Sequence, residues 1–560
     1  MSETSVSDVT GISLFAVLQS GSIPVPPSLL PRSRERPPLA RVACVFSVET
    51  YGTVDRPLLT WGKTPFGLSI ITACLEAAGH EVRCWVICPA TPLDRIATEM
   101  LVDFECDLVA ASAVTTQFPL IGRLCQQVKD GDPRIPVIVG GAHPSLNPDA
   151  TIGHPAIDAI CIGEGEDAAV AYANAIEAGI HPSQIPGMWI KILRGNQHRD
   201  SIPLHILDAH PAVSSPVAEY DIDRSPLAQF KSNLDDLPMI NLLHWERWVD
   251  ETDRTFRVVI GRGCPFGCTY CSNHALRDLT EGKYVRFRSP EKIVQEIDWI
   301  VEQFPEITEL YLEIETIGAS PAFATQLCDR LARFNAQRAK PLRFRANLAV
   351  TAQLVRHSRE LHDMLAAFHR ANLLALNVGL ESGSERIRKE ILNRPVYSNQ
   401  DLISFCRTAR EYSIGVALYV LMGLPTETVD DYLETVAVTR ACQPSIIHES
   451  IFYPYPGTRL FKLAAEMHLF DASAIHTKAE RSRAYLHLKG FPRWRVAFEY
   501  VFITWRVFNG RWTLRRSLTY MTHKALSITP GLLAVALRVR KWLAPRPRTL
   551  KSPRQTQPTH

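Results

Sequence analysis

From residue 41 onward, short apolar runs alternate with longer amphipathic stretches. RVACVFS (41–47), EVRCWVIC (81–88), DLVAASAV (107–114), IPVIVGG (135–141) and AIDAICIG (156–163) are rich in Val, Ile and Ala. PFGLSIITACLEAAGH (65–80) and FPLIGRLCQQVKDGD (118–132) lie between them and fit helices. Strands that are apolar throughout, separated by amphipathic helices, form parallel sheets covered on both faces. The pattern predicts an α/β, flavodoxin-like (Rossmann-like) domain over 39–180. Ligands of such folds bind beyond the carboxyl ends of the strands. Four loops fall there: Thr64-Pro65-Phe66-Gly67, Ser112-Ala113-Val114-Thr115, Gly140-Gly141-Ala142-His143 and Gly163-Glu164-Gly165-Glu166.

Prolines at 182, 186, 203, 211, 216, 226 and 238 make 181–250 read as an irregular linker. A second alternating series follows. FRVVIG (256–261), ELYLEIE (309–315), LRFRANL (342–348), LALNVGLES (374–382), GVALYVLMGLP (415–425) and SIIHESIFYP (445–454) read as strands. Helices fit between them, one of them opening with Ser289 as N-cap and Pro290 in its first turn. Six βα units over 251–465 predict a partial (β/α)6 barrel, with its chemistry at the carboxyl ends of the strands. The rhythm stops near 465. Residues 466–560 read as a small helical region ending in a basic run, and the Ser/Pro-rich residues 1–38 read as a disordered leader.

Composition refines this picture. The 560 residues, 46% hydrophobic and 21% charged, are those of a globular protein with more than one core. No secretory signal and no membrane-length apolar run is apparent, which points to the cytoplasm. Ten of the thirteen cysteines are scattered through apolar runs and read as buried hydrophobes in a reducing compartment. The net charge of +3 hides an asymmetry: residues 481–560 hold 17 Lys/Arg and a single acid, Glu499. Two readings of this aromatic, basic region stand: a peripheral contact with an anionic membrane or acidic substrate, and a helical cap with a solvated basic rim. No nucleic-acid-binding module is recognisable.

The remaining three cysteines stand in GRGCPFGCTYCSNH, residues 261–274. Cys264, Cys268 and Cys271 occupy eight positions directly after a strand, with Gly261, Gly263 and Gly267 to allow tight turns. Three thiolates from one loop suit a 4Fe–4S cluster with one iron left open. The rival is structural zinc with His274 as fourth ligand, in a binding protein rather than an enzyme.

CPFGCTYC resembles the CxxxCxxC motif of the radical S-adenosylmethionine (radical SAM) enzymes, with Tyr270 at the family's aromatic position. VGLESGSE (378–385), LMGLPTET (421–428) and YPYPGTRL (453–460) continue the match to the branch with an N-terminal cobalamin-binding domain. PFG, VIVGGAHPS and CIGEGEDA match that domain, and the resemblance spans roughly 41–175 and 250–465. It implies a 4Fe–4S cluster on the three cysteines, SAM on its open iron, and cobalamin. It implies SAM contacts at Tyr270, Glu313 or Glu315, Glu381, Ser382, Gly423, Leu424 and Pro425, with Arg345 and Asn347 weaker. For Glu381 the bland reading is a helix N-cap. Cobalamin contacts are implied at Thr64, Pro65, Gly67, Ser112, Val114, Thr115, Gly140, Gly141, His143, Gly163, Glu164 and Gly165. No DxHxxG motif occurs in 41–180, so no histidine of that motif ligates cobalt. The implied activity is methylation of an unactivated carbon of a lipid or secondary metabolite, through a 5′-deoxyadenosyl radical and methylcobalamin. A cyclisation, rearrangement or other redox step is the alternative within the branch. A flavodoxin- or ferredoxin-type electron donor is implied as partner, and no second cluster.

Overall fold

The computed structural model of the chain describes residues 40–49, 51–193, 220–250, 255–471 and 481–527. The leader and the last part of the basic region lie outside these residues. The first sheet has seven strands in the order β2-β1-β3-β4-β5-β6-β7. Strands β1 (Arg41–Ser47), β2 (Glu81–Ile87), β3 (Leu108–Ser112), β4 (Val137–Gly140) and β5 (Ala159–Cys161) run parallel. Val42 to Val45 of β1 are fully buried, as a central strand covered on both faces requires.

The sheet does not end with its fifth strand. Strands β6 (Met188–Leu193) and β7 (Tyr220–Arg224) extend it antiparallel, out of the segment that reads as an irregular linker. Proline density conceals them. β7, the edge strand, reads YDIDR and carries no apolar run, because an edge tolerates charge.

The second sheet is six-stranded and wholly parallel, in the order β15-β14-β13-β12-β11-β8. It comprises β8 (Thr255–Val259), β11 (Glu309–Glu313), β12 (Arg343–Leu348), β13 (Leu373–Glu381), β14 (Gly415–Met422) and β15 (Ile446–Ile451). A two-residue ribbon, β9 (Gly261–Arg262) with β10 (Arg286–Phe287), stands at its mouth. Leu310, Leu312, Phe344, Ala346, Leu376 and Leu418 point outward and are buried by the surrounding helices. The alternate positions include Arg257, Tyr311, Glu313, Arg345, Asn347, Asn377 and Tyr419. The inner face is therefore polar, and β8 and β15 do not pair, so the barrel stays open along one seam. Ser289 caps the Pro290–Gln303 helix, accepting from the Lys292 N–H at 3.3 Å.

The basic region is, on its inner side, a cap. The Arg493–Phe508 helix buries Val496, Ile503, Val507 and Phe508. Glu499 is fully buried between Arg495 and Arg506, with 2.7 Å to each. In the following helix, Leu514–Ser527, Lys524 pairs with Glu449 of the edge strand β15. Trp494, Phe498, Leu514 and Leu518 point outward.

A carboxylate network joins the two sheets. Glu164, after β5, accepts from Arg262 at 2.9 Å, from Arg286 at 2.7 Å and from the Lys231 N–H at 2.8 Å. Burial would raise its pKa, but the Arg286 hydrogen bonds and the Arg262 charge win and hold it at about 2. Glu166 completes the network on Arg262. A carboxylate with a depressed native pKa contributes stability above its ordinary value of 4.5 and loses that contribution as pH falls towards about 2. Replacing Glu164 by Ala strands the buried Arg286 and should cost about 3 kcal/mol or more in urea unfolding at neutral pH. The difference from wild type should shrink as pH falls through about 4 to about 2; a pH-independent difference contradicts the ion-pair account.

Candidate active site

The cysteine loop leaves the barrel mouth at β9. At Gly263 φ is +91° and a Cβ would fall 2.3 Å from the Tyr284 carbonyl oxygen; one at Gly261 would fall 2.6 Å from that of Arg286. Both positions demand glycine. Gly267 does not: a Cβ there meets only ordinary contacts. Distant residues pin the loop. Thr269 donates its N–H to Leu392 O at 2.9 Å and its hydroxyl to Ile391 O at 2.6 Å, while its own carbonyl accepts from Leu460 N–H at 2.9 Å. Asn393 Nδ2 donates to Gly267 O at 3.0 Å.

Burial, with the neighbouring Cys268 and Cys271, pushes the Cys264 thiol up to about 12. Burial also raises Cys271, whose sulfur accepts from Asn273 Nδ2 at 3.6 Å. Thiols buried in this way become thiolates only against a positive occupant such as bound iron. A cluster would give each of these three sulfurs its own iron. His274 does not complete a zinc set. Its Nε2 accepts from the Arg459 N–H at 3.3 Å, and its ring faces the carbonyls of Cys268 and Cys271. The trio therefore fits a 4Fe–4S cluster.

Beside the loop lies a buried constellation. Tyr270 donates its hydroxyl to Glu381 Oε1 at 2.9 Å. Arg394 reaches Tyr270 Oη at 3.2 Å and Cys268 Sγ at 3.7 Å, and donates to Gly379 O. Glu381 adopts φ +63° as β13 ends, a left-handed backbone that aims its carboxyl at this cluster rather than at a helix N-terminus. Burial holds that carboxyl above its ordinary range, against the pull of Arg394 and Tyr270. Arg394 carries no local sequence signal; only the order of the barrel strands brings it to Cys268, 126 residues away.

The other implied SAM residues separate. Glu315 accepts from the Gly263 N–H, and its charge is felt by Cys264 and Cys271, while its side chain stays open to the barrel hollow. Glu313 instead accepts from Arg257 at 3.3 Å, and Arg345 pairs with Glu309 at the start of β11. Asn347 is bonded to Tyr311 and to Ile314 O. The Ser382 hydroxyl is fully buried on Thr435 at 3.3 Å and on the Ser384 N–H at 3.2 Å. Gly423, Leu424 and Pro425 form a buried turn whose Gly423 and Leu424 N–H groups donate to Glu427 at 2.6 and 3.0 Å. Burial raises Glu427 to about 8, so it fixes the turn largely as a neutral acid near neutrality.

At the first sheet the implied cobalamin residues also divide. A Cβ on Gly67 or Gly163 would meet nothing within 4 Å, and Val114 is exposed. Gly141 has φ +100°, and a Cβ there would strike Ala113 O at 2.8 Å. With Gly140, and with Pro65 at the start of its helix, they leave an open cradle above the strand ends, which fits a large flat cofactor. His143 is buried, stacked on Phe118 at 4.3 Å and 3.3 Å from the Thr115 hydroxyl. Thr64 is turned onto Trp61 O at 2.8 Å, Glu164 serves the ion-pair network, and a Cβ on Gly165 would press on Cys161 Sγ at 3.2 Å. Ser112 closes β3 next to Gly141.

Residues 63–173 match the B12 binding domain and residues 258–438 the radical SAM superfamily. The chain is a radical SAM enzyme with a B12-binding domain. Its cofactors are SAM, with the superfamily's iron–sulfur cluster, and cobalamin. The enzyme is 24% identical over 415 residues to the anaerobic magnesium-protoporphyrin IX monomethyl ester cyclase of Rubrivivax gelatinosus, spanning 73% of this chain and 67% of the cyclase. It is 23% identical over 429 residues to the cytidylyl-2-hydroxyethylphosphonate methyltransferase of Streptomyces wedmorensis, spanning 71% of this chain and 76% of that protein. Its fold is that of the radical SAM methyltransferase TsrM of Kitasatospora setae, solved with cobalamin and a [4Fe-4S] cluster: TM-score 0.56, 18% identity, 77% of this chain and 75% of that one.

Anaerobic reconstitution of the wild-type enzyme should bind about four irons per chain. Cys264→Ala, Cys268→Ala and Cys271→Ala should each fall below about half that content and lose the brown absorbance, while Cys88→Ala should keep both. Iron retained in the three loop variants contradicts the assignment.

Proposed function

We propose that the enzyme is a cobalamin-dependent C-methyltransferase acting on an unactivated carbon of a lipid or secondary metabolite. One observation carries the reading: Glu164 and Glu166, from the strand ends that form the cradle, are locked to Arg262, two residues before the first cluster cysteine. A domain suited to a methyl carrier and a loop suited to a radical source thus share one frame. Bound together, the cluster and SAM supply a carbon radical, and cobalamin supplies a transferable methyl group.

The chain's own residues hold and orient these groups. Cys264, Cys268 and Cys271 take the three irons. Glu315, beside the loop and open to the hollow, is placed to receive the SAM amine. Tyr270, Glu381 and Arg394 form one side of the SAM site, and the Gly423-Leu424-Pro425 turn, stiffened by Glu427, borders the adenine. Gly67, Val114, Gly140, Gly141 and Gly163 accept the corrin. The polar hollow takes the substrate. Cyclisation or another redox step without methyl transfer is the second reading, favoured by the cyclase relative. The enzyme works in the cytoplasm with a flavodoxin- or ferredoxin-type donor. No helix among the described residues is long and apolar enough to cross a membrane. The outward Trp494, Phe498, Leu514 and Leu518, beside the exposed Arg515 and Arg516, suit peripheral contact with anionic headgroups.

Incubating the reduced, reconstituted enzyme with methyl-deuterated SAM and a small-molecule and lipid extract of its host tests the reading. Mass spectrometry should find a product that carries the labelled methyl and depends on added cobalamin. A product without label supports the second reading and contradicts methyl transfer.

A further inference from the structure

Two aromatic rings stand open in the hollow of the barrel. Tyr419 of β14 and His448 of β15 are register partners, and their rings stack with centroids 4.9 Å apart and 30° between planes. Both point inward. On β14 the alternate residues Leu418 and Val420 are buried outward; on β15 Ile447 and Ile451 are buried, and Glu449 meets Lys524 of the cap. Yet Tyr419 is 38% exposed and His448 is exposed, so the pair borders open space inside the barrel. Tyr419 is also the register partner of Gly379, whose carbonyl accepts from Arg394. The pair therefore begins one strand away from the Tyr270, Glu381 and Arg394 constellation beside Cys268.

The polar groups of the neighbouring strands are matched to one another. Arg257 pairs with Glu313 at 3.3 Å, and Arg345 with Glu309. Tyr311 donates its hydroxyl to Asn347 and accepts from Asn377 Nδ2 at 2.7 Å. By contrast, the Tyr419 hydroxyl and the His448 ring nitrogens have no hydrogen-bond partner among the described residues. Burial first, then the Arg345 charge, lowers the His448 pKa, so its imidazole is neutral near neutrality and keeps one accepting nitrogen. Flat apolar faces with a free hydroxyl and a free imidazole edge form a recognition surface without net charge.

We propose that Tyr419 and His448 form a shelf for a planar, uncharged ring of the substrate, which packs on the two side chains and donates a hydroxyl or N–H to His448 while its reacting carbon faces the Tyr270 side. Aromatic faces favour another ring over a saturated one of the same size. An aliphatic chain laid there would cover the hydroxyl and the imidazole without satisfying either, which disfavours it. The inference rests on the radical SAM reading and narrows its substrate to an aromatic or heteroaromatic metabolite rather than a lipid chain.

The test is calorimetric titration of the reconstituted full-length enzyme with three uncharged probes: indole, cyclohexanol and 1-hexanol. Indole should bind at least about fivefold more tightly than either of the others. Tyr419→Leu and His448→Leu should each weaken indole binding by about threefold to tenfold, while Tyr220→Leu, an exposed ring on the edge strand β7, should leave it unchanged. Iron content and SAM affinity should be unaltered in both shelf variants. If Tyr419→Leu fails to take up iron, His448→Leu on the edge strand decides. Equal or stronger binding of 1-hexanol, or no indole binding by protein that holds its iron and cleaves SAM, overturns the shelf and leaves the enzyme reading intact. A fall in SAM or cobalamin affinity in iron-loaded His448→Leu also overturns it, because the rings then serve a cofactor. Failure of wild type to take up iron or cleave SAM overturns the enzyme reading and the shelf with it.

Discussion

A single half-buried carboxylate sets the geometry on which everything else depends. Glu164 sits at the carboxyl end of the first sheet and holds Arg262 and Arg286, which belong to the ribbon at the mouth of the second. Ion pairs of this kind contribute little net stability over an apolar contact, because both partners are desolvated. Their effect is on position: each charge must find its opposite, so only one docking of the two sheets satisfies both arginines. Arg262 leads directly through Gly263 into Cys264. The cradle and the cysteine loop are therefore held by adjacent links of one network.

The barrel follows a second constraint. Its strands are apolar outward and polar inward, the reverse of a barrel packed solid with branched side chains. Arg257, Tyr311, Glu313, Asn347 and Asn377 keep the interior hydrated or ligand-ready, and the unpaired edges of β8 and β15 leave a way in. The tail helices cover the β15 side, where Lys524 meets Glu449, and Glu499 of the basic region is buried between two arginines. The inner face of this region is a cap; the outer face keeps its aromatic and basic groups.

Much of this was legible in the sequence, for local reasons. The parallel strands announced themselves as apolar runs, since burial on both faces or a strict period of two leaves a plain trace. The cysteine loop was legible because all three cysteines lie in one turn. What the sequence hid was what sequence separation hides. Arg394 meets Cys268 across 126 residues, and Glu164 meets Arg286 across 122. The GEGE loop read as a cofactor turn, yet its Glu164 is occupied by arginines. Strands β6 and β7 were masked by prolines and edge charges. The choice between Glu313 and Glu315 needed the partner of each: Arg257 for the first, the Gly263 N–H for the second.

The central claim is that the Cys264–Cys271 loop turns an electron into a carbon radical from SAM. The most direct measurement is chromatographic assay of 5′-deoxyadenosine after anaerobic incubation of the reconstituted, dithionite-reduced enzyme with SAM and host extract. The account predicts that the nucleoside accumulates with wild type and is absent with Cys268→Ala. Intact SAM in the presence of fully iron-loaded, reduced wild-type enzyme would contradict it.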